Sequence, residues 1–285
     1  MNADPIKIGR RIHMSNKWLG FLSGAASVCG IGAFLVAPQR VDEELYAPFQ
    51  NRNIAHRGLH CIEKGIPENS IASFNAACEA GYGSELDVQL TKDGQVVVFH
   101  DDDLKRVCGV DARVDSKTLE ELEELRLLGT EQGIPLFTEV LAAVAGRTPL
   151  IVELKSGPNN EELCEKTYEI LAGYEGEYCI ESFDPRIVRW FKINAPELVR
   201  GQLACSAEGY GKSESKIMSY LMSRCLLNFM GRPHFIAYEI TDMPITVKAA
   251  IKMGAKNVCW TSKNAANEEG RDTVIFERYE PTVWF

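Results

Sequence analysis

Ionisable side chains stand at the ends of several short apolar runs in this 285-residue chain. Seven of them are notable for their type and position: His56, Arg57, Glu85, Asp87, His100, Glu153 and Lys155. Glu85 and Asp87 are two positions apart, as are Glu153 and Lys155, so within a strand each pair lies on one face. Strands buried on both faces are normally apolar, and buried charges are costly unless they are paired or bind a metal. The pattern therefore indicates a functional site.

The residue types indicate which chemistry such a site would perform. The carboxylates of Glu85, Asp87 and Glu153 offer hard oxygen ligands, which suit one divalent cation, Mg²⁺ or Ca²⁺, better than zinc. Arg57 and Lys155 are able to bind a phosphate group. A pair of histidines can act as general base and general acid near neutral pH. Metal, cations and paired imidazoles together are typical of phosphodiester cleavage.

Each of these residues has an ordinary structural explanation when it is taken alone. An E-x-D pair is common in a strand with one solvated face. Glu153 and Lys155 could form a surface ion pair worth under about 1 kcal/mol, and Trp260 could be a core residue. Only the joint position of these groups, at the ends of successive strands, favours a site.

The elements that must position these residues alternate along the chain from about residue 53, where β-rich runs are followed by helical patterns. Alternating β and α units imply a parallel sheet, and eight units in this length fit an α/β fold, the (β/α)8 TIM barrel. A doubly wound open sheet is the alternative, but the glycine-rich phosphate loop expected after its first strand is missing. The eight predicted strands cover residues 54–56, 84–90, 96–100, 150–154, 178–182, 198–203, 235–239 and 257–261.

One unit of the predicted barrel must be irregular. Asp87 and His100 are thirteen positions apart, with a Lys92-Asp93-Gly94 turn between them. Because this leaves no room for a full helix, we predict a helix-less crossover between the second and third strands.

The first forty residues differ from the rest of the chain. No residue from 18 to 38 is charged, and this run of 21 residues is about the length that crosses a bilayer. Because basic residues precede it, we predict a cytoplasmic tail over residues 1–17, an N-terminal transmembrane helix over 18–38, a linker over 39–50 and a catalytic barrel over 51–285 on the outer side. A cleaved signal peptide and a buried helix of a cytoplasmic protein are the alternatives.

Charge and cysteine usage exclude other classes of protein. The formal net charge of −9 argues against general nucleic-acid binding, since no basic domain would meet a phosphate backbone. The nine cysteines show no C-x-x-C pair, which argues against a disulfide framework and a structural zinc site. Their number favours a reducing compartment, against the export that the N-terminal segment suggests.

Residues 217–230 form an unusually apolar segment that includes three methionines. One interpretation is an outer barrel helix whose apolar face packs on the sheet. The other is a lid or a membrane-contacting helix. Burial of this segment distinguishes the two.

Five sequence stretches together resemble the glycerophosphodiester phosphodiesterases. The stretches are AHRGLH, PENSIASF, GYGSELDVQLTKDGQVVVFHDDDLKRVCG, PLIVELK and VCWTSKN. They occur in the same order and at similar spacing over about residues 53–264. The resemblance implies a TIM barrel that hydrolyses glycerophosphodiesters to glycerol 3-phosphate and an alcohol.

The resemblance also implies a role for each matching residue. His56 and His100 would be the catalytic pair. The divalent-metal ligands would be Glu85, Asp87 and Glu153. The substrate-binding residues would be Arg57 and Lys155 at the phosphate, Glu68 and Asn69 supporting the rim, and Trp260 shaping the glycerol pocket.

Two other functions remain open at the level of the sequence. A phospholipase or a sphingomyelinase-D-like enzyme would share the barrel, the metal and the histidines but would act on lyso- or intact phospholipids. A catalytically inactive, membrane-tethered module that only binds phosphodiesters is the alternative outside the enzymes, although both histidines are present.

Overall fold

The computed structural model describes residues 30–211 and 214–285. In these residues eight parallel strands close into a barrel, so the predicted TIM-barrel architecture is confirmed. A ninth strand, β3, pairs antiparallel to one of them. The strands are β1 Arg52–Ala55, β2 Gly83–Leu90, β3 Val96–Val98, β4 Leu150–Leu154, β5 Tyr178–Ser182, β6 Arg200–Ala204, β7 Phe235–Glu239, β8 Lys256–Ser262 and β9 Thr273–Phe276.

The barrel closes because β1 pairs with both β2 and β9. Alternate residues of each strand point to opposite faces, so both faces must be filled. Ile151 belongs to the core inside the barrel, whereas Val152 belongs to the layer between the barrel and the surrounding helices. The inner face of β4 that carries Ile151 also carries Glu153, which places this carboxylate at the top of the barrel interior.

Helices and single helical turns surround the barrel. The helix before β2 begins with a capping box at Ser70 and Ser73, and it ends at Gly81, whose φ of +81° is in the left-handed region that favours glycine. The helices are α1 Glu43–Tyr46, α2 Ile71–Ala80, α3 Lys105–Cys108, α4 Leu119–Glu123, α5 Phe137–Val144, α6 Asn160–Leu171, α7 Pro185–Asn194, α8 Lys216–Ser223, α9 Asn228–Gly231 and α10 Ile245–Lys252.

The predicted third barrel strand is wrong. Residues 96–98 form β3, which pairs antiparallel to β2, with Val88 opposite Val98. The connection is therefore a hairpin and not a parallel crossover. Its turn reverses the chain at Gly94, where φ is +74°. The returning strand brings His100 back beside Asp87 of β2, where the Phe99 N–H donates to the Asp87 carbonyl.

The eighth parallel strand is β9, which the sequence analysis did not predict. Its four residues, Thr273–Phe276, are all buried between β1 and β8. The run is short and follows a polar segment, so it gives little strand signal by itself. Pairing on both sides defines it, and this pairing depends on closure of the whole barrel.

The prediction of a transmembrane anchor is not supported by the structure. Within the described residues, no helix has both the length and the apolar character needed to cross a bilayer. Of the predicted span, residues 18–29 lie outside the described part of the chain, while residues 30–36 are helical. Val36 is only 2% exposed because it packs with Ala204 and Ile236 of the barrel. The single-pass membrane localisation and the membrane as a partner depended on this anchor and are not supported.

Residues 39–50, predicted as a linker, pack against the barrel. Helix α1 lies within them, and its Tyr46 is buried with Phe49 in the core inside the barrel. The Tyr46 hydroxyl is 2.8 Å from the Thr273 hydroxyl on β9. This segment therefore contributes side chains to the barrel core.

Candidate active site

Three carboxylates meet where the middle of β2 lies beside the carboxyl end of β4. Glu85 and Asp87 lie on β2 and Glu153 lies on β4, and Asp87 is paired in register with Glu153. One oxygen from each carboxylate lies within 4.8 Å of the other two. All three side chains are buried. The structure thus brings together the three residues that the sequence analysis predicted as metal ligands.

The buried carboxylates strongly perturb one another. Burial raises the pKa of Glu85 well above its ordinary value, and the charges of Asp87 and Glu153 raise it further. Burial likewise raises the pKa of Glu153, although Lys155 acts in the opposite direction. Burial would also raise the pKa of Asp87, but the nearby charges of His100, Lys155 and Arg57 outweigh it and lower that pKa.

The donor set fits a hard divalent cation. The Oδ1 atom of Asp87 is buried and accepts no hydrogen bond among the described residues, although Lys155 Nζ lies 3.4 Å away. A buried carboxylate oxygen without a hydrogen bond is costly. Three buried carboxylates in contact are also mutually repulsive. A cation bound by these oxygens would relieve both costs, and an all-oxygen donor set suits Mg²⁺ or Ca²⁺.

Two cations border the carboxylate cluster. Lys155 Nζ lies 2.8 Å from Glu153 Oε1 and 3.4 Å from Asp87 Oδ1. Arg57 Nε lies 3.7 Å from Asp87 Oδ2, and the backbone N–H of Arg57 donates to Glu85 Oε2. Both cations therefore face the carboxylates.

Glu68 and Asn69 hold this arrangement from the loop before α2. Glu68 accepts a hydrogen bond of 2.7 Å from the Arg57 guanidinium, and the Asn69 amide donates to Asp87 Oδ2 at 2.8 Å. Asn69 has a φ of +52°, and Arg57 one of +55°. Backbone strain of this kind, at two residues that touch the same cluster, is typical of functional sites.

Each of the two predicted histidines has a carboxylate behind its ring. His56 Nδ1 is 3.0 Å from Glu277 Oε2, and His100 Nδ1 is 2.7 Å from Asp101 Oδ1. Because an ionised carboxylate only accepts, the Nδ1 atom of each ring donates, and the Nε2 atom of each ring is left for other partners. The Nε2 atom of His56 is 4.0 Å from Glu85 Oε2.

Burial and the hydrogen bond between His56 and Glu277 shift the pKa values of both residues. Burial lowers the pKa of His56, while the hydrogen bond to Glu277 acts to raise it. The same hydrogen bond lowers the pKa of Glu277 to about 2. Glu277 is therefore ionised at neutral pH and orients a mainly neutral imidazole.

A family model covers nearly all of the barrel that carries this site. The model of the glycerophosphoryl diester phosphodiesterase family matches residues 56–280. The chain belongs to this family. The match includes both histidines, the three carboxylates and both cations described above.

Curated relatives and known structures agree with the family. A glycerophosphodiester phosphodiesterase of Caldanaerobacter subterraneus is 39% identical over 53% of this chain and 65% of its own length. A lysophospholipase D of Rattus norvegicus is 32% identical over 55% of each chain. The chain thus spans less than two thirds of the length of these relatives.

A phosphodiesterase of Oleispira antarctica, whose structure contains the product sn-glycerol-3-phosphate, aligns with a TM-score of 0.66 over 81% of this chain and 94% of that chain. Because the two sequences are only 24% identical, this likeness shows that the fold is shared and nothing more.

Trp260 of this phosphodiesterase-family chain lies on β8, near the rim. Its indole N–H donates to the Ala237 carbonyl at 3.0 Å. Its ring meets the ring of Phe183 edge to face, with the centroids 5.5 Å apart. The indole is therefore held between β7 and the loop after β5.

Three residues at the site were missed in the sequence analysis. Glu277 follows the unpredicted β9, and Asp101 directly follows His100. Arg106 donates to both Asp101 and Glu68, with shortest distances of 2.6 Å each. Arg106 lies in the stretch 81–109 that carries the family resemblance, but its contact with Glu68 spans 38 positions and gives no local signal.

Arg106 links the two sides of the family's phosphodiesterase site. Through Asp101 it is connected to His100, and through Glu68 it is connected to Arg57. Burial acts to raise the pKa of Glu68, but the hydrogen bonds and charges of Arg106 and Arg57 outweigh it and lower the pKa to about 2. Glu68 is therefore ionised at neutral pH, between the two arginines.

Proposed function

We propose that this protein hydrolyses glycerophosphodiesters to glycerol 3-phosphate and an alcohol, with the help of one divalent cation, Mg²⁺ or Ca²⁺. The observation that carries the proposal is the buried trio Glu85, Asp87 and Glu153, bordered by two cations and by two histidines that each have a carboxylate behind them. Membership of the glycerophosphoryl diester phosphodiesterase family supports it.

The three carboxylates would hold the cation. When bound, a divalent cation would neutralise phosphate charge and stabilise the charge that develops on the phosphoryl oxygens. Lys155 and Arg57 add positive charge on the same side. Glu68 and Asn69 keep Arg57 and Asp87 in place, and Trp260 contributes an apolar wall against the carbon skeleton of glycerol.

His56 and His100 would move the protons. One Nε2 atom accepts the proton of the nucleophile, and the other Nε2 atom donates a proton to the leaving alkoxide. The nucleophile is water, or the neighbouring glycerol hydroxyl by way of a cyclic phosphate. Glu277 and Asp101 fix the tautomers, because each holds the Nδ1 proton of its histidine, as carboxylates behind catalytic histidines do.

Metal removal tests the proposed dependence on a cation. We expect the purified protein to release glycerol 3-phosphate from glycerophosphocholine or glycerophosphoethanolamine. We expect EDTA to abolish this release and added Mg²⁺ or Ca²⁺ to restore it. Full turnover by the EDTA-treated protein, or no release with any cation, would contradict the proposal.

Arg106 provides a test of the network behind the histidines. Replacing it by glutamine removes its hydrogen bonds to Asp101 and Glu68, so His100 and Arg57 lose support together. We expect kcat to fall by up to about 100-fold, since small misplacements of catalytic groups have effects of that size, with a smaller change in KM.

Arg113 is the matched control for Arg106. Arg113 is seven positions from Arg106, and its guanidinium pairs with Asp115 at an N–O distance of 2.9 Å. Among the described residues it makes no hydrogen bond to Asp101 or Glu68. Arg113→Gln should retain near-normal turnover, and Arg106→Lys should recover part of the activity. Equal losses in Arg106→Gln and Arg113→Gln would show that the network acts on general stability and not on the histidines.

A further inference from the structure

His100 lies on a short segment without regular secondary structure. Strand β3 ends at Val98, and the next helix, α3, begins at Lys105. The Phe99 N–H still donates to the Asp87 carbonyl of β2 at 2.9 Å. Beyond this bond no sheet or helix defines the path of the backbone, so other groups must satisfy the carbonyls around His100.

One side chain bridges the residues on either side of His100. The amide nitrogen of Gln89, Nε2, lies 2.8 Å from the carbonyl oxygen of Phe99 and 2.8 Å from that of Asp101. Among the described residues, these two carbonyls accept no other hydrogen bond. A glutamine amide has two N–H donors, so this contact, the Gln89 clamp, uses both of them.

Gln89 is positioned by the strand that also carries two of the carboxylates. It follows Glu85 and Asp87 on β2 at intervals of two residues, so all three side chains lie on one face of the strand. The strand that holds two of the proposed metal ligands therefore also holds the backbone of His100.

The clamp complements the hydrogen bond made by the imidazole ring. Asp101 Oδ1 accepts from His100 Nδ1 at 2.7 Å, which orients the ring. Asp101 is the neighbour of His100 in the chain, so it moves together with the segment. Because Gln89 belongs to β2, its hydrogen bonds hold the segment itself against the barrel.

We propose that Gln89 is a positioning residue for the reaction, because its amide holds the backbone of His100 in place beside the carboxylate cluster. This inference rests on the proposed function, which gives His100 one of the two proton transfers. His56 depends on other contacts, since it directly follows β1 and its ring is held by Glu277. Loss of the clamp should therefore act through His100 and not through His56.

Replacing Gln89 by methionine tests the clamp. Methionine has a similar length and shape but no N–H donor, so the carbonyls of Phe99 and Asp101 lose their partner. We expect kcat for glycerophosphocholine to fall by about 10- to 100-fold, with KM changed by less than about threefold, since small misplacements of catalytic groups have effects of this size on turnover. An unchanged kcat would overturn the inference.

Gln202 is the matched control for Gln89. It is a buried glutamine on β6, and its Nε2 atom also donates to two carbonyls, those of Ser182 and Phe183, at 3.0 Å each. We expect Gln202→Met and Gln89→Met both to lower Tm, but only Gln89→Met to lower kcat strongly. A rise in Tm on addition of Mg²⁺ or Ca²⁺ should remain in both variants, because neither substitution removes a carboxylate. Equal losses of kcat would assign the effect to general stability and overturn the inference.

Combination with His100→Ala tests whether Gln89 acts through that histidine. The ring that the clamp positions is absent from this variant. Gln89→Met should therefore cause no further loss of kcat there, because residues that act through one another are not additive. A further loss as large as that in the wild type would show that Gln89 acts by another route.

Nuclear magnetic resonance of isotope-labelled histidine gives a readout that does not depend on turnover. The ring signals of His56 and His100 are assigned by their absence from the alanine variants. We expect Gln89→Met to shift the signals of His100 and not those of His56, and Gln202→Met to leave both in place.

The outcomes separate this inference from the proposed function. Hydrolysis of glycerophosphocholine, with neither kcat nor the His100 signals affected by Gln89→Met, would overturn the role of Gln89 and leave the proposed function intact. If the wild type hydrolyses no glycerophosphodiester, the proposed function fails, and the role of Gln89 in the reaction fails with it.

Discussion

Replacing His56 or His100 by alanine is expected to lower kcat by at least about 100-fold, the usual contribution of one general acid or base. The two rings lie on different elements, after β1 and after β3, yet each donates from Nδ1 to a carboxylate. Each variant would leave that carboxylate in place and remove only the group that moves the proton. Initial rates of glycerol 3-phosphate release, at saturating substrate and metal, measure the effect.

His60 is the control for this experiment. It lies four positions from His56, and no side-chain hydrogen bond of His60 is present among the described residues. We expect His60→Ala to retain most of the wild-type turnover. Imidazole added to the medium should restore part of the activity of His56→Ala or His100→Ala, because it can occupy the space of the missing ring. Near-normal turnover of either alanine variant would refute the assignment.

Replacing Glu85 by glutamine is expected to separate metal binding from folding. The pKa of Glu85 is raised by burial and by the neighbouring carboxylates, so its charge opposes folding in the metal-free protein. Glutamine keeps the shape and can still accept the hydrogen bond from the Arg57 backbone N–H. We therefore expect the Tm of the metal-free variant to equal or exceed that of the wild type.

The same variant should lose its response to metal. A ligand that binds only the folded state raises Tm, and a tighter ligand raises it more at the same concentration, so Mg²⁺ or Ca²⁺ should stabilise the wild type and not Glu85→Gln. Activity should fall by at least about 100-fold, since even changes behind a metal ligand cost 10- to 100-fold. Thermal unfolding with and without each cation, together with turnover, measures both effects.

Glu181 is the matched control for Glu85. It is 1% exposed, it lies on β5 opposite Glu153, and burial raises its pKa as well. It is not among the three carboxylates whose oxygens converge in the described residues. Glu181→Gln should therefore retain the metal-dependent rise in Tm. Loss of that rise in Glu181→Gln and its retention in Glu85→Gln would place the cation elsewhere.

Carboxylates behind the histidines give the site a rigid geometry. Glu277 and Asp101 come from segments that are 176 positions apart, yet they occupy equivalent places behind the two rings. Arg106 then ties Asp101 to Glu68. These hydrogen bonds orient the two imidazole rings, which is the support that the proposed proton transfers require.

The sequence alone determined the groups that converge on the rim. Two charged residues that are two positions apart on an otherwise apolar strand lie on the same face, because side-chain direction alternates along a strand. The carboxyl ends of parallel strands share one rim in a barrel. Glu85, Asp87 and Glu153 were predicted together for this reason, and the structure places their oxygens within 4.8 Å of one another.

Only the tertiary structure decided which segments close the barrel and what stands behind the histidines. The sequence of a short apolar run such as 96–98 or 273–276 does not specify which strand it pairs with, or whether it pairs parallel or antiparallel. The neighbouring strands in the sheet therefore define β3 and β9. The pairing of His56 with Glu277 spans 221 positions. Such a contact leaves no periodic signal in the sequence, because it arises from closure of the barrel and not from local conformational preference.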